Sequence, residues 1–286
     1  MHLIQRFVRL LGNMPLVFHR FGGRIIGLYL STIPNQSSRI TRLNIDLAFP
    51  ELSPLERTKL ARQSLFDLGD KFFRLIYTWT RPLAVNHSEV LEVEGLQNFM
   101  QESLSHPTLI LLPHIGNWEL FGAWLSQHRC YTAMFRPLRV PDISDLVSQA
   151  RERGGNTMVP ASTSGVKKIL KNLKLCETAI VLPDQVPKAG EGTYVDFFGH
   201  HVLTQVLPYR LAKATAARVF LGSAVRINGG FRVALTPLHA TIECTQNDWL
   251  YQMNKEIESL VRKYPDQYQW EYSRFRNSED GSLRYN

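Results

Sequence analysis

His114 and Glu119 stand in Leu111-Leu112-Pro113-His114-Ile115-Gly116-Asn117-Trp118-Glu119-Leu120, with four residues between them and directly after the apolar run 108–112. A histidine beside a carboxylate is the least a protein needs to move a proton. The carboxylate fixes the imidazole's tautomer and leaves the other ring nitrogen to take a proton from a hydroxyl. The chemistry this suits is acyl transfer. The spacing limits where the pair can work, because five positions along a continuous α-helix rotate a side chain by about 500°, leaving the two about 140° apart. The sequence avoids that geometry: 108–112 reads as a short buried strand, Pro113 and Gly116 break it, and 118–125 has the apolar density of a helix that Asn117 can cap. His114 is therefore expected on a strand-to-helix turn, with Glu119 in the helix's first turns and within reach of the imidazole. Taken alone, the pair has a plainer reading, in which His114 caps the helix and Glu119 is a solvated acid favoured by the helix dipole.

Further along, Arg136 follows the strand 131–135 in Phe135-Arg136-Pro137-Leu138-Arg139, and Arg151-Glu152-Arg153-Gly154-Gly155 ends the next helix. Planar, permanently charged guanidinium groups in loops suit a phosphate or carboxylate; equally, Arg151 and Arg153 can serve the helix dipole with Gly154 as the stop. Leu182-Pro183-Asp184-Gln185-Val186-Pro187 puts polar residues at the end of an apolar strand, where open α/β sheets collect their sites. The glycines of Gly190-Glu191-Gly192-Thr193 fit no dinucleotide or P-loop fingerprint, and lead to Val195-Asp196-Phe197-Phe198-Gly199, which reads as a turn and then a strand ending in Gly. Tyr268-Gln269-Trp270-Glu271-Tyr272-Ser273-Arg274-Phe275 either lines a lipid-facing cleft or packs in the core with Arg274 snorkelling to solvent.

The elements that would position these residues follow from periodicity. Strands are expected at 90–93, 108–112, 131–135, 179–182, 217–227 and 231–235, and helices at 118–126, 143–153, 164–173, 207–215 and 247–263; this alternation is the α/β pattern. We expect a central mixed sheet flanked by helices over 84–286, forming one structural unit, preceded by a helical extension over 1–83. Within that extension Ser53-Pro54-Leu55-Glu56 has the form of a capping box. The first 32 residues place Leu3, Ile4, Phe7, Leu10 and Leu11 at helical spacing with Gln5, Arg6 and Arg9 between them, an amphipathic pattern. No stretch there reaches the roughly 18 to 20 uninterrupted apolar residues that a span needs, and no cleavable signal is evident. Two outcomes fit: a helix pair lying in the membrane interface, or an amphipathic helix packed on the protein's own core.

Composition narrows the partners. Lys and Arg number 33 against 25 Asp and Glu, a net charge of +8, so the surface attracts an anionic partner; no nucleic-acid module is recognisable, and DNA or RNA binding is not expected. Cys130, Cys176 and Cys244 are few and far apart, giving neither a disulfide framework nor metal spacing and fitting a reducing compartment. His200 and His201 are adjacent and point to opposite faces of an extended segment, a poor metal pair. No metal and no cofactor are expected.

Together these segments resemble the bacterial lipid A biosynthesis acyltransferases, the lauroyl and myristoyl transferases of the lysophospholipid acyltransferase superfamily. The resemblance rests on His114 with Glu119; on Arg136-Pro137 with Arg151 and Arg153; on Leu182-Pro183-Asp184-Gln185 through Phe198-Gly199 and Thr204; on Gln267 through Phe275; and on Asn44-Ile45-Asp46-Leu47-Ala48-Phe49-Pro50 upstream. It covers nearly the whole chain. The resemblance implies transfer of a fatty acyl group from acyl carrier protein, or else coenzyme A, to a hydroxyl of a lipid A precursor or related glycolipid. It further implies that His114 acts as the base and Glu119 orients it, and that Arg136, Arg151, Arg153, Asp184 and Gln185 bind substrate. Acyl carrier protein, anionic membrane lipid and the glycolipid acceptor are the partners it implies, at the cytoplasmic face of the bacterial inner membrane. Family members commonly begin with a more continuous apolar anchor; Arg and Pro interrupt this one, which points to peripheral or monotopic attachment. The alternatives are acylation of another membrane lipid, or a noncatalytic lipid-binding protein of the same fold.

Overall fold

The computed structural model describes residues 3–276 together with 279 and 285. Met1 and His2 of the N-terminal segment, and the rest of the C-terminus, lie outside the described residues. Seven strands form one sheet in the order β1-β9-β8-β2-β5-β3-β4. They are β1 (Val90–Glu94), β2 (Thr108–Leu111), β3 (Tyr131–Phe135), β4 (Thr157–Pro160), β5 (Thr178–Val181), β8 (Arg218–Ile227) and β9 (Gly230–Pro237). Only β8 and β9 run antiparallel, as a hairpin closing at Ile227 and Gly230; every other neighbour is parallel, so the sheet is mixed as expected. The central strands β2 and β5 are buried along their whole length, which explains why they read as unbroken apolar runs. A separate antiparallel hairpin joins β6 (Gly192–Phe197) to β7 (His200–Gln205).

Strand alternation sorts the core into two layers. Leu109, Leu111 and Val181 face a cluster with Ile169, Trp249, Ile257 and Trp270. These come from α9 (Thr163–Lys174), α11 (Gln246–Lys263) and the C-terminal segment, with α10 (Leu207–Thr215) and α3 (Gln36–Ala48) completing that side. Ile110, Leu112, Ile180 and Phe220 face the other way, onto Phe99 of α6 (Leu96–Ser105) and Phe121 and Trp124 of α7 (Trp118–Leu125). Ile45 and Ala48 of α3 and Leu60 and Ala61 of α4 (Pro54–Thr80) share the first cluster, so the N-terminal helices are part of the main core.

The 27-residue α4 starts from the expected capping box, with Ser53 and Glu56 bonding reciprocally and Pro54 in the first turn. One side of α4 meets the turn before α7, where Asn117 Nδ2 donates to Thr78 Oγ1. Its other side carries α2 (Leu16–Thr32), which follows α1 (Leu3–Gly12). Here the backbones touch: a Cβ built on Gly69 would lie 2.4 Å from Gly23 O and 2.5 Å from Gly27 N. Outward from this contact, Val17, Phe18, Phe21, Ile25, Leu28 and Tyr29 are each more than half exposed, as are Phe7 and Leu10 on α1. Among the described residues, no helix is long and apolar enough to cross a membrane.

Candidate active site

His114 stands on the turn between β2 and α7, and Asn117 caps that helix by accepting from Leu120 N at 3.0 Å. The turn is held on both sides. Asn117 N donates to Ala224 O of β8 at 2.8 Å, Gly116 N to Gln267 O at 3.0 Å, and Gln269 N to His114 O at 3.0 Å. Gly116 is required there, because its φ of +60° is left-handed and a Cβ would lie 2.1 Å from Ala224 O. Ile115 therefore makes an isolated antiparallel bridge with Tyr268, which lays the segment around Tyr268 along the His114 turn.

The carboxylate on His114 is Asp184. His114 Nδ1 lies 2.8 Å from Asp184 Oδ1, and His114 N donates to Asp184 Oδ2, also at 2.8 Å. β5 neighbours β2 in the sheet, so the loop leaving β5 arrives beside the turn leaving β2, at the carboxyl edge where such folds build sites. An ionised carboxylate only accepts, so this contact puts a proton on Nδ1 and makes Nε2 the ring nitrogen free to exchange one. Gln185 completes the polarity, with its amide nitrogen 3.3 Å from His114 Nε2 and donating to Gln269 Oε1 at 3.2 Å. Burial pushes the Asp184 carboxyl up, but His114's charge and hydrogen bonds outweigh it and hold the group below the usual carboxylate range. The Trp118 ring stands edge-on to the imidazole at 4.9 Å, and Lys71 Nζ sits 5.5 Å over that ring.

Glu119 does not make the contact expected of it. Its carboxylate is buried and faces α8 (Pro141–Glu152), where Arg151 grips both oxygens, Nη2 on Oε1 at 2.5 Å and Nε on Oε2 at 3.1 Å. The physical reason is competition: a bidentate guanidinium outmatches an imidazole, and Asp184 already holds the imidazole's donor. Burial, the largest single influence, raises the Glu119 carboxyl, but the charge and hydrogen bonds of Arg151 with those of Trp79 and Trp118 together hold the group below its ordinary value.

The other expected substrate residues separate. Arg153 spends its donors on backbone carbonyls, Nη1 on Arg81 O, Nη2 on Thr78 O and Nε on Ala150 O, so it closes the end of α4 instead of facing a ligand. Arg136 is exposed on the loop after β3. Arg151 lies 5.2 Å over the Phe135 ring. Lys71 escaped the sequence reading, and Tyr268 entered it only as part of the aromatic segment 268–275. Lys71, 6% exposed, donates to Gln267 O at 3.1 Å, the same carbonyl that takes Gly116 N. At Tyr268, which is itself buried, burial first and the nearby Asp184 charge second push the hydroxyl's ionisation far up. The signal for Tyr268 was its aromatic-rich segment; for Lys71, a lysine within an apolar helix face. Arg274, expected to snorkel, is buried at 2% and donates to Leu203 O at 2.8 Å and Thr204 Oγ1 at 3.1 Å.

The bacterial lipid A biosynthesis acyltransferase model matches residues 1–277. The chain is 25% identical over 265 residues to the lipid A biosynthesis palmitoleoyltransferase of Escherichia coli K12, covering 91% of this chain and 86% of that protein. It is 24% identical over 270 residues to the myristoyltransferase of the same organism (91% and 81% covered). With the E. coli lauroyltransferase it shares 23% over 274 residues (93% and 87% covered). Matched along almost its full length, and carrying a histidine bonded to an aspartate at the carboxyl edge of its sheet, the chain belongs to the bacterial lipid A biosynthesis acyltransferase family.

Proposed function

We propose that this acyltransferase moves a fatty acyl chain from the thioester of an acyl carrier protein to a hydroxyl of a lipid A precursor, with His114 as general base and Asp184 as the group that orients it. The observation that carries this is the polarity of the imidazole: Nδ1 is committed to Asp184 at 2.8 Å, so Nε2 is the nitrogen able to accept a proton. Gln185 covers that nitrogen in the substrate-free enzyme and yields to the acceptor hydroxyl. As the hydroxyl oxygen attacks the thioester carbonyl, its proton passes to Nε2 and the imidazolium is stabilised by Asp184. The tetrahedral intermediate then collapses, the C–S bond breaks, and the proton goes from Nε2 to the departing sulfur. An ester and a free thiol result, with no covalent enzyme intermediate.

Glu119 acts through Arg151 in this scheme. Two of the guanidinium nitrogens hold the carboxylate, and Nη1, which makes no hydrogen bond among the described residues, is offered to the anionic acceptor or to the thioester oxygen as charge develops. Attachment is peripheral, at the cytoplasmic face of the inner membrane: the apolar outer surface of α2 lies in the acyl region while Arg20 and Arg24 reach headgroups. Purified protein incubated with acyl carrier thioester and a lipid A precursor should give a product heavier by one acyl group, and His114→Ala should lose about 10² to 10⁴-fold in turnover with an unchanged fold. Near wild-type turnover in that variant removes His114 from the mechanism.

A further inference from the structure

The most concentrated charge on the molecule lies away from both the catalytic turn and the apolar face of α2. Helix α9 carries Lys167, Lys168, Lys171 and Lys174, all exposed, while Ile169 and Leu173 fill the core side. At about 100° per residue the four lysines fall within a stripe of about 120°. Helix α10 packs beside α9 and exposes Arg210 and Lys213. Neither helix contains an acidic residue, so the two contribute +6 where the whole chain is only +8. Among the described residues none of the six cations is in an ion pair; Lys213 bonds only the neutral Tyr209 hydroxyl, at 2.9 Å. Like charges three and four residues apart oppose a helix, so the stripe is maintained against local stability.

Two further observations identify what would neutralise it. Neither helix exposes a large apolar side chain, in contrast to α1 and α2, so the face lacks what inserts into lipid. It also begins at the same carboxyl edge of the sheet that carries the site. α9 starts just past the carboxyl end of β4, and α10 follows Gln205, whose amide donates to Leu182 O, two residues before Asp184. Lys167 and Arg210 are thus the cations of α9 and α10 nearest the carboxyl edge of the sheet, with Lys171, Lys174 and Lys213 further down the flank.

We propose that the α9–α10 face docks the acidic protein that delivers the acyl thioester, its carboxylates meeting the lysine stripe while the thioester arm reaches over the rim to His114. This rests on the acyl-transfer reading above and adds where the donor sits. Steering by such a face acts on encounter, and so on KM for the protein-borne donor.

The test compares wild type with the surface double variant Lys168→Glu/Lys171→Glu, using two donors with the same acyl group, acyl carrier protein and acyl-pantetheine, at low salt. Docking predicts that the variant's KM for the carrier rises by an order of magnitude or more. Its kcat, and both constants with acyl-pantetheine, should be unchanged, and 0.5 M salt should erase most of the difference. An unchanged KM for the carrier overturns the proposal, as does an equal rise with acyl-pantetheine. Reduced binding to phosphatidylglycerol vesicles with carrier KM intact assigns the face to membrane and also overturns it. Wild-type enzyme that transfers from neither donor removes the acyl-transfer reading itself, an outcome separate from a failed KM difference.

Discussion

Asp184→Asn separates the two carboxylates that a histidine motif of this kind offers. Both Asp184 oxygens are committed, Oδ2 to His114 N and Oδ1 to His114 Nδ1, each at 2.8 Å. An asparagine keeps one acceptor and replaces the other with a donor. If the amide oxygen stays on the backbone N–H, its NH₂ faces Nδ1, which must then give up its proton; the ring proton moves to Nε2 and blocks the nitrogen that has to accept. That outcome costs roughly 10³ to 10⁴ in kcat, or about 4–5.5 kcal/mol at 1.36 kcal/mol per tenfold. If the amide flips, the tautomer survives but a charge-assisted hydrogen bond of about 1.5–3 kcal/mol is lost, equivalent to about 10- to 150-fold. Either way the loss is at least about tenfold. Glu119→Gln breaks the grip on Arg151 but leaves the imidazole untouched, so its kcat should fall less, with destabilisation of about 2 kcal/mol because Arg151 retains some solvent contact. Initial rates with a fixed acyl thioester and acceptor, alongside circular dichroism melts, measure both. A folded Asp184→Asn enzyme within tenfold of wild type, beside a Glu119→Gln enzyme crippled by 10³ or more, would show that Glu119 is the base's partner after all.

Other consequences follow from the same contacts. Glu119 and Asp184 are held below the ordinary carboxylate range, so each binds protons less readily folded than unfolded. Their contribution is present above the unfolded value of about 4 and is lost as pH falls through the lowered folded values. Melting temperature should therefore drop below about pH 4, less steeply in Glu119→Gln than in wild type; Asp67, raised by burial, acts in the opposite sense but is common to both proteins. Equal steepness in the two counts against a depressed Glu119. Gly69→Val forces a side chain into backbone that stands 2.4 Å from the built Cβ, and overpacking of about 1–3 kcal/mol should lower the melting temperature by several degrees; an unchanged melt means α2 does not lie on α4. Phe21→Ser removes one exposed aromatic from the α2 face, at about 1.5–3 kcal/mol of burial, so partitioning onto anionic vesicles should weaken by about tenfold or more; no change in cosedimentation dissociates that face from lipid.

What was legible in the sequence was what local chemistry decides. Pro113, Gly116 and Asn117 placed the turn and started α7 at Trp118, and the apolar runs located β2, β3 and β5 within a residue or two. What failed depended on neighbours. Which acid meets His114 is set by β5 lying next to β2, an order that no spacing near His114 encodes, and so Asp184 took the place expected of Glu119. The edge strand β4 has only four residues, ending in Pro160 and set off by the glycine pair before it, too short to show a period. α6 opens on Gly95 without a side-chain cap and gave no start signal. In the β6–β7 hairpin, Phe198 and Gly199 form a two-residue turn with φ of +52° and +73°; the glycine was read as a strand's end because an aromatic residue rarely takes the first left-handed position.

Because the loop bearing His114 is clasped by the backbone of Gln267 and Gln269, some 150 residues further along, a chain cut short of Gln267 would keep the histidine and the aspartate but lose the frame that aims them.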